Sequence, residues 1–174
     1  MAPSRPRRPA MTIGVSVVAA VTVFLALTAV LARRAPEDPD RWHVDPVAAT
    51  VDDRPHWYRL TPAEAPVDRQ RKQEGTAPRF DAPVDRLAEA FDEVAMGEER
   101  VQRLAGSPSR RWVTYRQRSA VFGFPDYVSV RFLEDGEGGS TLAVYSRARY
   151  GYGDGGVNAD RVRQWVDETA QRMR

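Results

Sequence analysis

The longest apolar run, Met11 to Ala32, holds 22 residues without a charge or a proline. As a helix rising ~1.5 Å per residue it covers roughly 30 Å, the thickness of a bilayer's hydrocarbon core. A secretory leader has an apolar region of only ~7–15 residues. The length therefore favours an anchor that stays in place over cleavage after Val30-Leu31-Ala32. Residues 1–10 are basic and proline-rich and are expected to be disordered.

Beyond the anchor the periodicity vanishes and then returns in two forms. Residues 33–80 are rich in proline and charge and read as a linker. Within them His56-Trp-Tyr-Arg-Leu60 is an apolar-aromatic cluster expected to pack on the domain as a short extended segment. From residue 81 to residue 174 the pattern predicts a folded unit. Val84, Leu87, Ala88, Phe91 and Ala95 recur at helical spacing, after Asp81 as a capping acid and before Gly97 as a stop. Arg100 to Leu104 and Trp112 to Phe122 suit strands. Tyr127 to Leu133 alternates, with Val128, Val130 and Phe132 on one face and Tyr127, Ser129 and Arg131 on the other. Asp135 to Gly139 reads as a hairpin loop. In the next strand Leu142, Val144 and Ala148 point inward, and Tyr145, Arg147 and Arg149 point out. Val162, Trp165, Val166, Thr169 and Met173 form a last helical stripe, with Asn158 placed as its N-cap. The expected fold is α+β, a two-layer domain of three or four antiparallel strands with two helices on one face, preceded by one transmembrane helix.

Composition narrows the chemistry. The chain has no cysteine, so disulfides, thiolate metal sites and cysteine nucleophiles are excluded. Lys72 is the sole lysine, Ile13 the sole isoleucine and Asn158 the sole asparagine, a bias that fits a GC-rich coding sequence. Arginine in excess is then weaker evidence for phosphate recognition than it would be if chosen over lysine. The overall charge is +2, but Arg5, Arg7 and Arg8 precede the anchor. From Arg33 onward 23 cations face 24 acids. A domain so nearly neutral lacks the basic excess of a nucleic-acid binder, and no nucleic-acid partner is expected.

Gly151, Gly153 and Gly156 spell G-x-G-x-x-G between a strand and a helix. A dinucleotide fold needs a further strand with an acid about 20 residues on. The 18 residues after Gly156 read as one helix, so the glycines are assigned to a tight turn. Arg131, Arg147 and Arg149 share a sheet face. They offer either an anion or lipid-headgroup site, or a solvated surface paired with Asp126, Asp154 or Glu134. Arg147 and Asp154 could instead pair with each other and lock the strand to the helix. His43 and His56 come without a ligand cluster and are given packing roles. No metal and no cofactor is expected, and no nucleophile–base set can be assembled from Ser129 or Ser146.

Phe124-Pro-Asp126, Ser146-Arg-Ala-Arg-Tyr-Gly-Tyr-Gly-Asp154 and Gly156-Val-Asn-Ala-Asp-Arg-Val162 resemble the domain of unknown function 1499 family, in its longer, membrane-anchored bacterial form. The likeness covers about Ala82 to Val166 and extends loosely to His43-Val-Asp-Pro46 and Trp57-Tyr58. Gly155 stands where members commonly carry an apolar residue, and the cysteine motif of the shorter members is missing. The resemblance implies a domain boundary and no activity. The function expected is that of a single-pass, membrane-anchored, non-enzymatic domain that binds a partner or ligand at the envelope. The alternative is an enzyme, or a carrier of a small anion or lipid headgroup, with a site beside the 147–158 turn. Candidate site residues are Arg131, Arg147, Arg149, Asp154 and Asn158. Positive-inside counting, with the amino terminus on the side of Arg5, Arg7 and Arg8, favours a bacterial inner-membrane protein with its domain on the exported side.

Overall fold

The computed structural model describes residues 9–136 and 138–174, with the backbone alone for residues 9–13 and Val15. The basic tail expected over residues 1–10 lies almost wholly outside the described residues, as does Glu137 of the hairpin loop. Helix α1 spans Pro9–Arg34. Its stretch from Ser16 to Arg34 has a mean hydropathy of 2.1 and is long and apolar enough to cross a membrane. A short helix α2 (Pro39–Trp42) follows, then β1 (Trp57–Thr61), β2 (Glu74–Thr76), α3 (Val84–Gly97), β3 (Val101–Ser107), β4 (Trp112–Arg118), β5 (Pro125–Glu134), β6 (Ser140–Ala148) and α4 (Val157–Arg172).

The class is α+β, and the strand count is corrected. One six-stranded sheet runs in the order β2-β1-β6-β5-β4-β3. It is mixed, because β1 pairs β2 in parallel and β6 in antiparallel sense. The two added strands come from the stretch read as linker: β1 is the extended segment expected at residues 56–60, and β2 was not foreseen. β1 is buried at every position, so it shows no alternation. β2 has three residues and carries no readable period.

α3 and α4 cover one face together. Leu87, Phe91 and Trp165 meet Tyr115, Val130, Phe132 and Val144 in a single core. Phe91 makes edge-on contacts with Phe132 and Trp165, an arrangement aromatic quadrupoles favour. Residue 81 does not cap α3; Pro83 holds that position without a side-chain hydrogen bond.

The opposite face was expected to meet solvent. Instead Tyr127, Ser129, Tyr145 and Arg147 are all buried. Residues 35–56 lie across them as an irregular strap, so the sheet is covered on both sides. Trp42 stacks on Tyr127 at 4.0 Å, and His43 stacks on Trp112 at 4.1 Å. His43 Nδ1 lies 2.9 Å from Thr114 Oγ1, and Trp57 Nε1 donates to the Asp52 carbonyl at 2.7 Å. The strap is also tied at its start. Glu37 accepts from Arg116 and Arg118, and Arg149 donates to the Pro36 carbonyl at 2.7 Å. A segment so bonded is part of the domain's packing, not a free spacer.

Candidate functional site

Strand β6 sorts the candidate residues by side. Its even-numbered side chains face the helices, and Tyr145 and Arg147 face the strap. Arg147 is 8% exposed and has no carboxylate partner among the described residues. It donates to the Trp42 carbonyl at 2.7 Å and, at longer range, to Ser129 Oγ and the Tyr145 carbonyl. Its guanidinium lies 5.4 Å from the Trp42 ring centroid and 4.8 Å from that of Tyr145. Loss of hydration on burial pushes it down to about 10, still charged at neutral pH.

Arg149 and Arg41 join it on the same indole. Their guanidinium carbons lie 5.7 and 5.1 Å from the Trp42 centroid. Among the described residues the Arg149 guanidinium bonds to the Pro36 carbonyl and the Tyr127 hydroxyl. Three arginines that have no carboxylate partner among the described residues are thus gathered around one tryptophan. They line a cleft of about 420 Å³ between the strap and the end of β6. Cation–π contact contributes ~0.5–1 kcal/mol at exposed sites and more when desolvated, and it leaves the guanidinium N–H groups free to donate elsewhere.

The far wall of the cleft holds Asp52, Arg54 and His56. Asp52 is already taken: Arg54 grips it in bidentate fashion, and His56 Nε2 sits 3.3 Å away. Arg54 holds the Asp52 carboxyl well below the usual carboxylate range. His56 Nδ1 is buried and has no hydrogen-bond partner among the described residues.

The other candidates fall elsewhere. Arg131 pairs with Asp45 of the strap, not with Glu134. Asp154 and Asn158 belong to the joint between β6 and α4. Gly156, at φ 91°, starts the helix, so Asn158 is not its N-cap. Asp154 takes over that work, accepting from the Gly156 amide at 3.0 Å and the Asn158 amide at 2.9 Å. The helix amino terminus therefore already holds an anion. Asn158 is fully buried and bridges layers: its Nδ2 donates to the His56 carbonyl, and its Oδ1 accepts from Ser146 Oγ at 2.5 Å. Arg147 and Asp154 do not pair; their partners are different groups on different sides of β6.

Nearby, Arg161 Nη2 donates to Asp126 Oδ2 at 2.8 Å. Burial still raises the Asp126 carboxyl above its ordinary value, because desolvation outweighs the arginine. Asp126, Ser146, Asp154, Asn158 and Arg161 all come from the three motifs quoted above. They form one bonded joint, whereas Arg147 and Arg149 leave it for the cleft.

A family model described as "Protein of unknown function (DUF1499)" matches residues 44–168. The chain belongs to the DUF1499 family. The matched span of this DUF1499 domain begins inside the strap, ahead of β1, and closes within α4. No curated protein matches the sequence.

Sequence reasoning missed Arg41, Trp42 and the Asp52–His56 wall. Trp42 flanked by Arg41 and His43 was a usable signal, since a tryptophan in a polar stretch needs a surface to cover.

Proposed function

We propose that this DUF1499 protein is a membrane-anchored binding domain that takes an anionic group into the cleft at Arg41, Arg147 and Arg149. The observation that carries this reading is Arg147, buried, charged and unanswered by any carboxylate. A buried cation lacking a counter-charge is costly. An entering phosphate, sulfate or carboxylate would supply that charge and charge-assisted hydrogen bonds. The reading is of binding, because the cleft offers three arginines while its carboxylate, Asp52, is already paired with Arg54. The anchor is α1, in a bacterial inner membrane, with the domain on the exported side. A reporter active only outside the cytoplasm, fused after Arg174, is expected to be active; activity of a cytoplasm-only reporter would reverse the orientation.

The binding claim is tested by titrating inorganic phosphate into the detergent-solubilised full chain, with chloride at matched ionic strength as the reference. Saturable heat is expected for the wild type. Arg147→Met or Arg149→Met each lose a charge-assisted bond of ~1.5–3 kcal/mol, a weakening of about 10-fold or more. Equal heats for phosphate and chloride, or variants that bind as the wild type does, would overturn the reading.

A further inference from the structure

The loops at one end of the sheet carry a second feature. Ser119 to Phe124 joins β4 to β5, and Tyr150 to Gly153 follows β6; neither stretch contains a charge. Val121 is 73% exposed, Tyr152 75% and Tyr150 41%. Phe122 stacks on Phe124 at 5.5 Å, and Phe124 meets Tyr150 at 5.6 Å. These five side chains make one apolar, aromatic rim.

The rim sits against the end of α1. Arg118 donates to the Ala32 carbonyl at 3.3 Å and to the Gly123 carbonyl at 2.8 Å. Arg33 Nη2 donates to the Val121 carbonyl at 3.3 Å. Gly123 has φ 71°, and a Cβ there would lie 2.8 Å from Arg33 Nε, so the loop approaches the helix as closely as a glycine permits. On that side of α1, Ala29 and Ala32 are buried; Leu27, Val30 and Leu31 remain exposed. Val30 is three residues from Arg33, ~4.5 Å along the axis. The rim therefore lies within about one helical turn of the last apolar residues of the span.

We infer that this rim is a second membrane contact: Val121, Phe122, Phe124, Tyr150 and Tyr152 lie in the interfacial zone of the bilayer that α1 crosses. Aromatic side chains favour that zone, where an apolar ring and a polar tip are both satisfied. Arg33 and Arg34 there can extend their heads toward lipid phosphates. The consequence is a fixed orientation, with this end of the sheet on the membrane and the opposite end, at Glu134 and Ser140, pointing away. The inference rests on α1 as the anchor, and its test separates the two.

The chain has no cysteine, so single cysteines can be introduced and labelled with an environment-sensitive fluorophore. Full-length Val121→Cys, Tyr152→Cys, Leu27→Cys and Glu134→Cys would be reconstituted in phosphatidylglycerol–phosphatidylethanolamine vesicles containing spin-labelled lipid. Labels at 27, 121 and 152 are expected to show blue-shifted emission quenched by the lipid, and the label at 134 the emission of water. Lipid contact at 27 with water at 121 and 152 overturns the rim while leaving the anchor. Water at 27 overturns both. Emission at 121 and 152 that is blue-shifted yet unquenched by lipid means a protein covers the rim, which also overturns the inference.

Discussion

Two arginines lie under the strap on adjacent strands, and the fold answers them differently. Arg59 of β1 is 5% exposed and Arg147 of β6 is 8% exposed. Arg59 meets Glu74 of β2 through two of its nitrogens, with contacts from 2.5 to 3.0 Å. Its third nitrogen donates to the carbonyls of Pro46 and Ala49. That arginine is fully satisfied from within the chain, and it ties the strap to the sheet edge. Arg147 has aromatic faces and neutral oxygens around it, and an open cleft beside it. The difference teaches that burial alone does not mark a site. What marks it is a buried charge whose counter-charge the chain does not supply.

The strongest way to break the comparison is to make Arg59 resemble Arg147. Glu74→Gln leaves Arg59 buried without its carboxylate and is expected to cost ~3–5 kcal/mol in denaturant unfolding of the full chain. If that loss were under ~1 kcal/mol, an unpaired arginine would be cheap in this sheet and Arg147 would lose its significance. Asn158→Ala probes the joint on the helix side. It removes the bonds to the His56 carbonyl and the Ser146 hydroxyl, which keep only those from the Ala148 amide and Arg161, and should cost ~1–3 kcal/mol, without altering phosphate affinity. A parallel loss of phosphate binding would show that joint and cleft are one unit.

The carboxylate paired with a third, partly buried arginine, Arg161, adds a pH dependence. Asp126, beside Arg161, has a folded-state pKa raised above its unfolded value. Between the two values the folded state binds the extra proton, so stability falls as pH rises through that window. Asp126→Asn should flatten that fall in unfolding measured from pH 3.5 upward; an unchanged profile would assign it to other groups. The smallest effect belongs to the half-exposed Arg131–Asp45 pair. Arg131→Gln should change stability by ~0–1 kcal/mol, read in the same unfolding assay.

Much of the helix side of the fold was legible in the chain. Helices α3 and α4 each bury one stripe against the sheet and leave a helical period, and α1 shows as an unbroken apolar run. Strands β5 and β6 are buried on both faces, but they turn largely apolar side chains to the helices and tyrosine, serine or arginine to the strap, so their alternation survives. β1 was legible as a packed extended segment but not as a member of the sheet, because both its faces are buried and Arg59 gave it a polar look that the Glu74 pair explains. The strap was hidden for a deeper reason: irregular chain that covers a sheet has no period at all. Arg147 and Arg149 stood out from sequence because alternation put them on one face. Arg41 and Trp42, which complete their surroundings, could not be joined to them without tertiary structure. Asn158 was misread as a cap because Gly156 starts the helix two residues earlier, and Asp154 accepts from the Gly156 and Asn158 amides.

The central claim is that Arg147 is kept buried for an anion, and one linked measurement addresses it. Unfolding free energies of the full-length wild type and Arg147→Met would be followed as inorganic phosphate replaces chloride at constant ionic strength. Without phosphate the two should lie within ~1 kcal/mol, because the Trp42 carbonyl keeps its Ser129 bond and the methionine fills apolar space. With phosphate the wild type should gain stability as binding saturates and the variant should not. Curves that rise together, or remain flat together, would contradict the account.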